Sequence, residues 1–288
     1  MIKYIVKADV KKQLAKDYLK RHENISSTLW KKIKRQDEFF VNGQKVRATQ
    51  AIVKPNDIIE YNLPVTSKVE AIQIPLNIVF EDDYFLIVDK IAGMLTHPLT
   101  FENTQTLANG VMYHFAKTNQ NVGCHPLYRL DRNTSGLVVF AKMPQLQHQL
   151  ANNHQKFQRY YYALVHGKLS QKQGQINAPI GRKKNSNFLD DVIDEGKHAI
   201  PNYRLIKDFE NYSLIELWLE TGRTHQIRVH MSYLGHPLLG DDLYGGKLNL
   251  IARHALHAYK LKFTHPFTHE EICISSPMPD DMAKLIID

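Results

Sequence analysis

The stretch "YRLDRNTSGL", Tyr128 to Leu137, carries one carboxylate, Asp131, with Arg129 and Arg132 close on either side. A turn-forming run of Asn133, Thr134, Ser135 and Gly136 follows. A lone aspartate in this setting has three uses: an Asx-turn, an ion pair with a neighbouring arginine, or chemistry as a nucleophile. A second cluster, "TGRTHQIRVH" from Thr221 to His230, bears on the choice. His225, Gln226 and Arg228 fall in the first turn of an expected helix. Thr224 is its expected N-cap, Ile227, Met231 and Leu234 form one apolar face, and Gly235 is the expected stop. A capped helix start with a fixed guanidinium holds an anion well. Such a cation near Asp131 would keep it ionised, as a nucleophile must be.

The elements around these residues follow from patterning. Leu137 to Phe140 is an unbroken apolar run, so the strand after Asp131 is expected to be buried on both faces. From Pro75 onward short β-rich runs recur, among them "FLIVDK", "YYYALVHGKL" and "YSLIELWLET". Helical patterns lie between them. In "MPQLQHQLANNHQKF", Pro144 suits a first helical position and Leu146 and Leu150 stand four apart. The mixture predicts an α+β domain over 75–288, built on a largely antiparallel mixed sheet flanked by helices. Residues 65–74 are polar, carry no turn or cap signal, and read as a linker.

Residues 1–64 read as a separate small α/β module. "DVKKQLAKDYLKRH" has a helical pattern with Val10, Leu14, Tyr18 and Leu19 on one face. Ser26 or Ser27 is expected to cap a short second helix, with Lys31, Lys32, Lys34 and Arg35 outward. Asn42-Gly43 within "FFVNGQKV" signals a hairpin. The formal charge is +8, and nearly all of it sits here: 14 Lys/Arg against 7 Asp/Glu in 1–64, and 23 against 22 in the remainder. A local surplus of this kind suits a polyanion through counterion release, or serves as a solvated surface.

"RLDRNTSGL", "TGRTHQIRVH", "LGHPLLGDDLYG" and "HALHAYKL" resemble, in this order, the RluA family of pseudouridine synthases. "IVFEDDYFLIVDKIAG" and "THPLTFENTQTLAN" look like that family's approach to its catalytic segment. The N-terminal module looks like the αL-type RNA-binding domain of many members, mainly through "ISSTLWKKIKRQ" and "VNGQKV". The resemblance implies an isomerase that turns uridine in RNA into pseudouridine: the glycosidic bond breaks, the base turns, and it rejoins through carbon. No metal, nucleotide or redox cofactor is implied. Asp131 would be the nucleophile, Arg228 its cationic partner, and Tyr161 of "RYYYALV" the ring against the target base. The Tyr161 hydroxyl could also move a proton. Arg129 would fill the space that a flipped uridine leaves. Arg132, Thr134, His225 and Gln226 are further expected substrate contacts, with Lys32 and Arg35 on the basic module. Tyr160 and Tyr162 are expected to pack on the other side of the strand. The pattern is departed from at Tyr128, where the family usually has histidine, at Asp89 and Ile91 within its "NKPAG" segment, and at Pro201.

Other classes fit less well. At 43% hydrophobic and 10% aromatic the composition is that of a folded domain. No apolar run approaches the ~20 residues of a membrane helix, and the first residues lack the apolar core of a secretion signal. Cys124 and Cys273 alone make no disulfide framework or zinc site, so a reduced, cytoplasmic setting is expected. His225, His230, His236, His254 and His257 crowd the last third without a zinc spacing. A glycosidase would need two facing carboxylates, for which Glu220 and Asp241 are the candidates. A non-catalytic RNA-binding or chaperone role would rest on the basic module alone. The expected partner is RNA, ribosomal ahead of transfer RNA, with no membrane and no metal; residues leave the oligomeric state open, with a monomer favoured.

Overall fold

The apolar run after Asp131 becomes the central strand, Ser135–Ala141, in the computed structural model of the protein, and each of its residues is buried. The structure describes residues 2–23, 25–62, 69–98, 105–151, 157–184, 186, 189–266 and 268–287. The strand belongs to a ten-stranded sheet. Its main path runs Gln173–Gln175, Pro201–Asp208, Tyr212–Leu219, Phe157–His166, Leu256–Thr264, Ser135–Ala141, Phe85–Lys90, Asn77–Glu81. Glu271–Ser275 and His125–Pro126 pair off this path. Every pairing is antiparallel except that of Ser135–Ala141 with Leu256–Thr264. There the register joins Ser135 to His257 and Gly136 to Ala258. Gly136 has φ +113°, and a Cβ on it would run into the Ala258 backbone, so only glycine lets these chains approach.

Strand alternation separates two apolar layers. Val138 and Phe140 pack with Leu107, Val111 and Phe115 of the helix Leu107–Lys117 and with Ile227 and Met231. Leu137 and Val139 pack with Leu146 and Leu150 of the helix Pro144–Ala151 and with Phe263. Pro144 opens that helix, as its missing N–H allows. The pattern's continuation over 152–156 lies outside the described residues.

Residues 65–68 of the expected linker also lie outside them. Residues 69–74 lack regular structure but are tied to the helix Leu107–Lys117. Asn109 donates to Glu70 O at 2.9 Å, and Ile72 N donates to Asn109 O at 3.2 Å.

The described residues up to 62 include a separate four-stranded sheet, ordered Ile2–Ile5, Ile58–Tyr61, Phe39–Val41, Gln44–Lys45. Its core includes Tyr18, Leu19, Trp30, Ile33, Phe39, Ile59 and Tyr61. Ser26 caps the helix Ser27–Ile33, its Oγ accepting from Leu29 N at 3.0 Å. Asn42 and Gly43 both take positive φ at the hairpin. The preceding helix is shorter than its pattern predicts, Ala15–His22. Gln13–Leu14 pairs instead with Ile52–Val53, and this extended pairing leaves Leu14 exposed rather than on the apolar face.

Candidate active site

Asp131 sits on the turn that enters the central strand, where Thr134 N donates to its carbonyl at 3.1 Å. Its Oδ2 accepts a hydrogen bond from Arg228 Nη1 at 3.2 Å. Arg228 reaches it from the helix Gln226–Tyr233 and is itself fixed from behind. Its Nε and Nη2 donate to the two oxygens of Asp241 at 2.8 and 2.7 Å. Both Arg228 and Asp241 are buried. Burial alone would lower the guanidinium pKa; Asp241, and then Asp131, outweigh it and raise it. One aspartate therefore holds the arginine with a bidentate fork, and the arginine's remaining nitrogen meets the other aspartate.

The helix start differs from expectation. Thr224 is not the cap; His225 occupies that position with φ +52°, and no side chain caps the first turn. The Gln226 side chain closes the preceding turn, its Oε1 accepting from Arg223 N and Thr221 Oγ1, both at 2.9 Å. His225 enters the helix from the left-handed region, which costs a non-glycine residue about 1 kcal/mol or more. The gain is position: Nδ1 lies 2.9 Å from the Tyr244 hydroxyl and Nε2 lies 3.9 Å from Asp131 Oδ2.

These groups edge a cleft of about 920 Å³. Asp131, Arg129, Arg132, Tyr161 and His225 all line it. Its size falls in the range of small-molecule sites, roughly 300–1,000 Å³. Tyr161 is buried on the strand Phe157–His166, and burial raises its pKa, so its hydroxyl keeps its proton at neutral pH. Arg132 Nε donates to Gly93 O at 2.9 Å, and Arg129 is exposed at the cleft. Neither candidate second acid is free. Asp241 is spent on Arg228, and Glu220 accepts from Asn202 at 2.9 Å and Gln175 at 3.2 Å.

The family described as RNA pseudouridylate synthase matches residues 84–233, which hold Asp131, Tyr161 and Arg228. An RNA pseudouridine synthase of Bacillus subtilis, YjbO, described as uncharacterized, is 38% identical over 252 residues, covering 85% of this chain and 88% of its own. The chain belongs to the RNA pseudouridine synthase family. Ribosomal large subunit pseudouridine synthase D of Vibrio cholerae is 37% identical over 270 residues, covering 88% of this chain and 83% of the relative. Among solved structures, human RNA pseudouridylate synthase domain containing 1 superposes with a TM-score of 0.58 at 25% identity, covering 74% of this chain and 85% of the human one. Human RNA pseudouridylate synthase domain containing 4 shares the fold, with a TM-score of 0.59 at 20% identity. The protein is accordingly an isomerase that converts uridine to pseudouridine in RNA.

Four of the expected substrate contacts are not among the side chains that line the cleft. Thr134 is buried, and its hydroxyl meets His254 Nε2 at 2.8 Å, so it braces the turn behind Asp131. Gln226 is buried as the turn lock described above. Lys32 and Arg35 are exposed on the N-terminal module, outside the cleft lining. Turn-forming and helix-start positions read as contacts because sequence spacing does not tell a side chain that faces the cleft from one that supports its wall.

Sequence reading did not assign the supports. Lys90 is almost fully buried, and its Nζ donates to the carbonyls of Ile91, Met94 and Arg132 at 2.9, 2.9 and 3.0 Å. It ties the loop after its own strand to the Asp131 turn. Burial pulls its pKa down to about 7, with Asp131 pulling the other way. Arg253 pairs with Asp281 and donates to Asn133 O at 3.1 Å. The only available signals were "VDKIAG" and "GDDLYG" as motifs, without partners. Among the described residues no cluster of His, Cys, Asp and Glu could hold a metal ion. Several of the crowded histidines have other partners: His230 meets Ala178 O and His257 meets Ser135 Oγ.

Proposed function

We propose that this synthase modifies uridines of large-subunit ribosomal RNA, with Asp131 as nucleophile acting on a flipped-out nucleotide. The observation that carries the reading is the chain Asp241–Arg228–Asp131, which fixes one carboxylate oxygen on a preorganised cation at the cleft wall. Asp131 bonds to the nucleotide, at the sugar carbon or the uracil ring, as the glycosidic bond breaks. The base turns, a carbon–carbon bond to the sugar forms, the carboxylate leaves, the proton on the uracil 5-carbon is lost to water, and the ring nitrogen released from the sugar gains one. Tyr161 stacks on the uracil, and its hydroxyl, which burial keeps protonated, can donate to the ring nitrogen released from the sugar. Flipping is required because the reacting carbon is shielded in a stacked helix, and Arg129 fills the vacated space. His225 and Arg132 contact the nucleotide. Residues 1–64 act as the RNA-binding module, with Lys32 and Arg35 neutralising phosphates of the same RNA.

Ribosomal rather than transfer RNA is favoured by the printed names of relatives in Vibrio cholerae and Nitrosomonas europaea, each a ribosomal large subunit pseudouridine synthase D. The expected setting is the cytoplasm. The test is incubation with modification-free large-subunit ribosomal and transfer RNA transcripts, followed by pseudouridine mapping. Conversion of discrete sites in the ribosomal transcript is expected. Conversion confined to transfer RNA would refute the substrate assignment.

A further inference from the structure

Arg159 stands two residues before Tyr161 on the same buried face of the strand Phe157–His166, and it lines the cleft. It is only 6% exposed, yet it has no carboxylate partner among the described residues. Its Nε has no hydrogen-bond partner, its Nη2 reaches Thr221 O only at 3.4 Å, and the one other group it engages is the neutral Tyr161 hydroxyl beside it. The other two arginines buried near the site each hold an aspartate: Arg228 holds Asp241 and Arg253 holds Asp281. A buried cation without a counter-charge is costly, so this one is left for something that arrives.

The guanidinium is also held in place. It lies over the Tyr128 ring, 4.9 Å from its centroid, and Tyr128 is anchored by its hydroxyl donating to Leu137 O at 2.7 Å. On another side lies Gly222, where an added Cβ would come within 3.2 Å of Nη2. Tyr128 is the residue this chain carries where the resembling family usually has histidine, and its ring supplies the platform.

We infer that Arg159 is the receptor for a phosphate of the RNA strand at the target uridine. The inference rests on the cleft being the RNA site, as proposed above. A planar guanidinium with an unused Nε donor and only neutral neighbours matches a phosphate in both charge and fork geometry. A uracil carbonyl, being neutral, would leave the buried charge uncompensated. Phosphate contacts set register rather than read sequence, so Arg159 would hold the strand where Tyr161 meets the base.

The test uses full-length protein in excess over total RNA that carries tritium at the uracil 5-carbon, taken from cells lacking this synthase. Single-turnover tritium release is measured against protein concentration at several salt concentrations. Arg159→Gln should raise the half-saturating concentration roughly 10- to 100-fold, more than it lowers the plateau rate. The slope of its logarithm against log salt should fall in size by about 0.7–0.9. Arg159→Lys should keep the wild-type slope and recover part of the affinity. An unchanged slope in Arg159→Gln overturns the inference, whatever happens to the rate. Should the Gln variant fail to fold, an Arg159→Lys protein with unchanged half-saturation, or with a reduced slope, overturns it too. Asp131→Asn in the same assay separates the two readings: persistent release there defeats the nucleophile and leaves the Arg159 slope to be judged alone.

Discussion

Asp241→Asn tests how far the site depends on a side chain that never needs to touch RNA. Asp241 gives Arg228 two charge-assisted hydrogen bonds, at 2.7 and 2.8 Å, and both residues are buried. Each such bond contributes about 1.5–3 kcal/mol, and truncating one partner of a buried pair costs about 3–5 kcal/mol. Asparagine keeps one oxygen but turns an NH2 toward a nitrogen and removes the charge, so the loss should be roughly 2–3 kcal/mol. At about 2–4 °C per kcal/mol for a chain of this size, Tm should fall by roughly 5–10 °C. Activity should fall further than stability alone explains. With Asp131 as the one carboxylate still paired with it among the described residues, Arg228 should shift onto the oxygens of the proposed nucleophile. A misplacement worth 2–3 kcal/mol at the transition state lowers kcat about 30- to 150-fold. KM should change little, because Arg228 lies behind the cleft wall. Tritium release under steady-state conditions and calorimetry read both quantities. Wild-type kcat and Tm in Asp241→Asn would refute the reasoning.

Three other outcomes are expected. Gly136→Ala should lose roughly 3 kcal/mol, because the added Cβ meets the Ala258 backbone at a left-handed φ; thermal melts of the two proteins check it. Glu81 is pushed up by burial, but hydrogen bonds from Lys142, Gln120 and His114 outweigh this and hold its pKa at about 2, against an ordinary 4.5. A depressed carboxyl stabilises above its unfolded value and loses that contribution as pH falls toward its folded one. Glu81→Gln should therefore lower Tm at pH 7, and the two melting curves should converge between pH 4.5 and pH 2. The double variant Lys32→Gln, Arg35→Gln should weaken RNA binding and reduce the salt slope by about 1.4–1.8, read by filter binding across a salt series.

Local chemistry made several elements readable in advance. Four apolar residues in a row, Leu137 to Phe140, leave no face for water, and the strand is buried throughout. Asn42-Gly43, Ser26 and Pro144 act within a few residues, so a hairpin, a cap and a helix start could be located from spacing. What escaped depends on chain returning from far away. Leu14 looked helical because its partner Ile52 is distant in sequence. The parallel contact of Gly136 with Ala258 joins segments more than a hundred residues apart. Asp241 read as a spare acid, because only the folded loop lays it against Arg228. His225 read as ordinary helix, because residue spacing carries no sign of its left-handed backbone.

The most direct test of the central claim follows tritium at the uracil 5-carbon of RNA incubated with wild-type protein and with Asp131→Asn, each shown to be folded by its melting curve. Release by the wild type and none above background by the variant is the expected result. Equal release from both would contradict the assignment of Asp131 as the nucleophile.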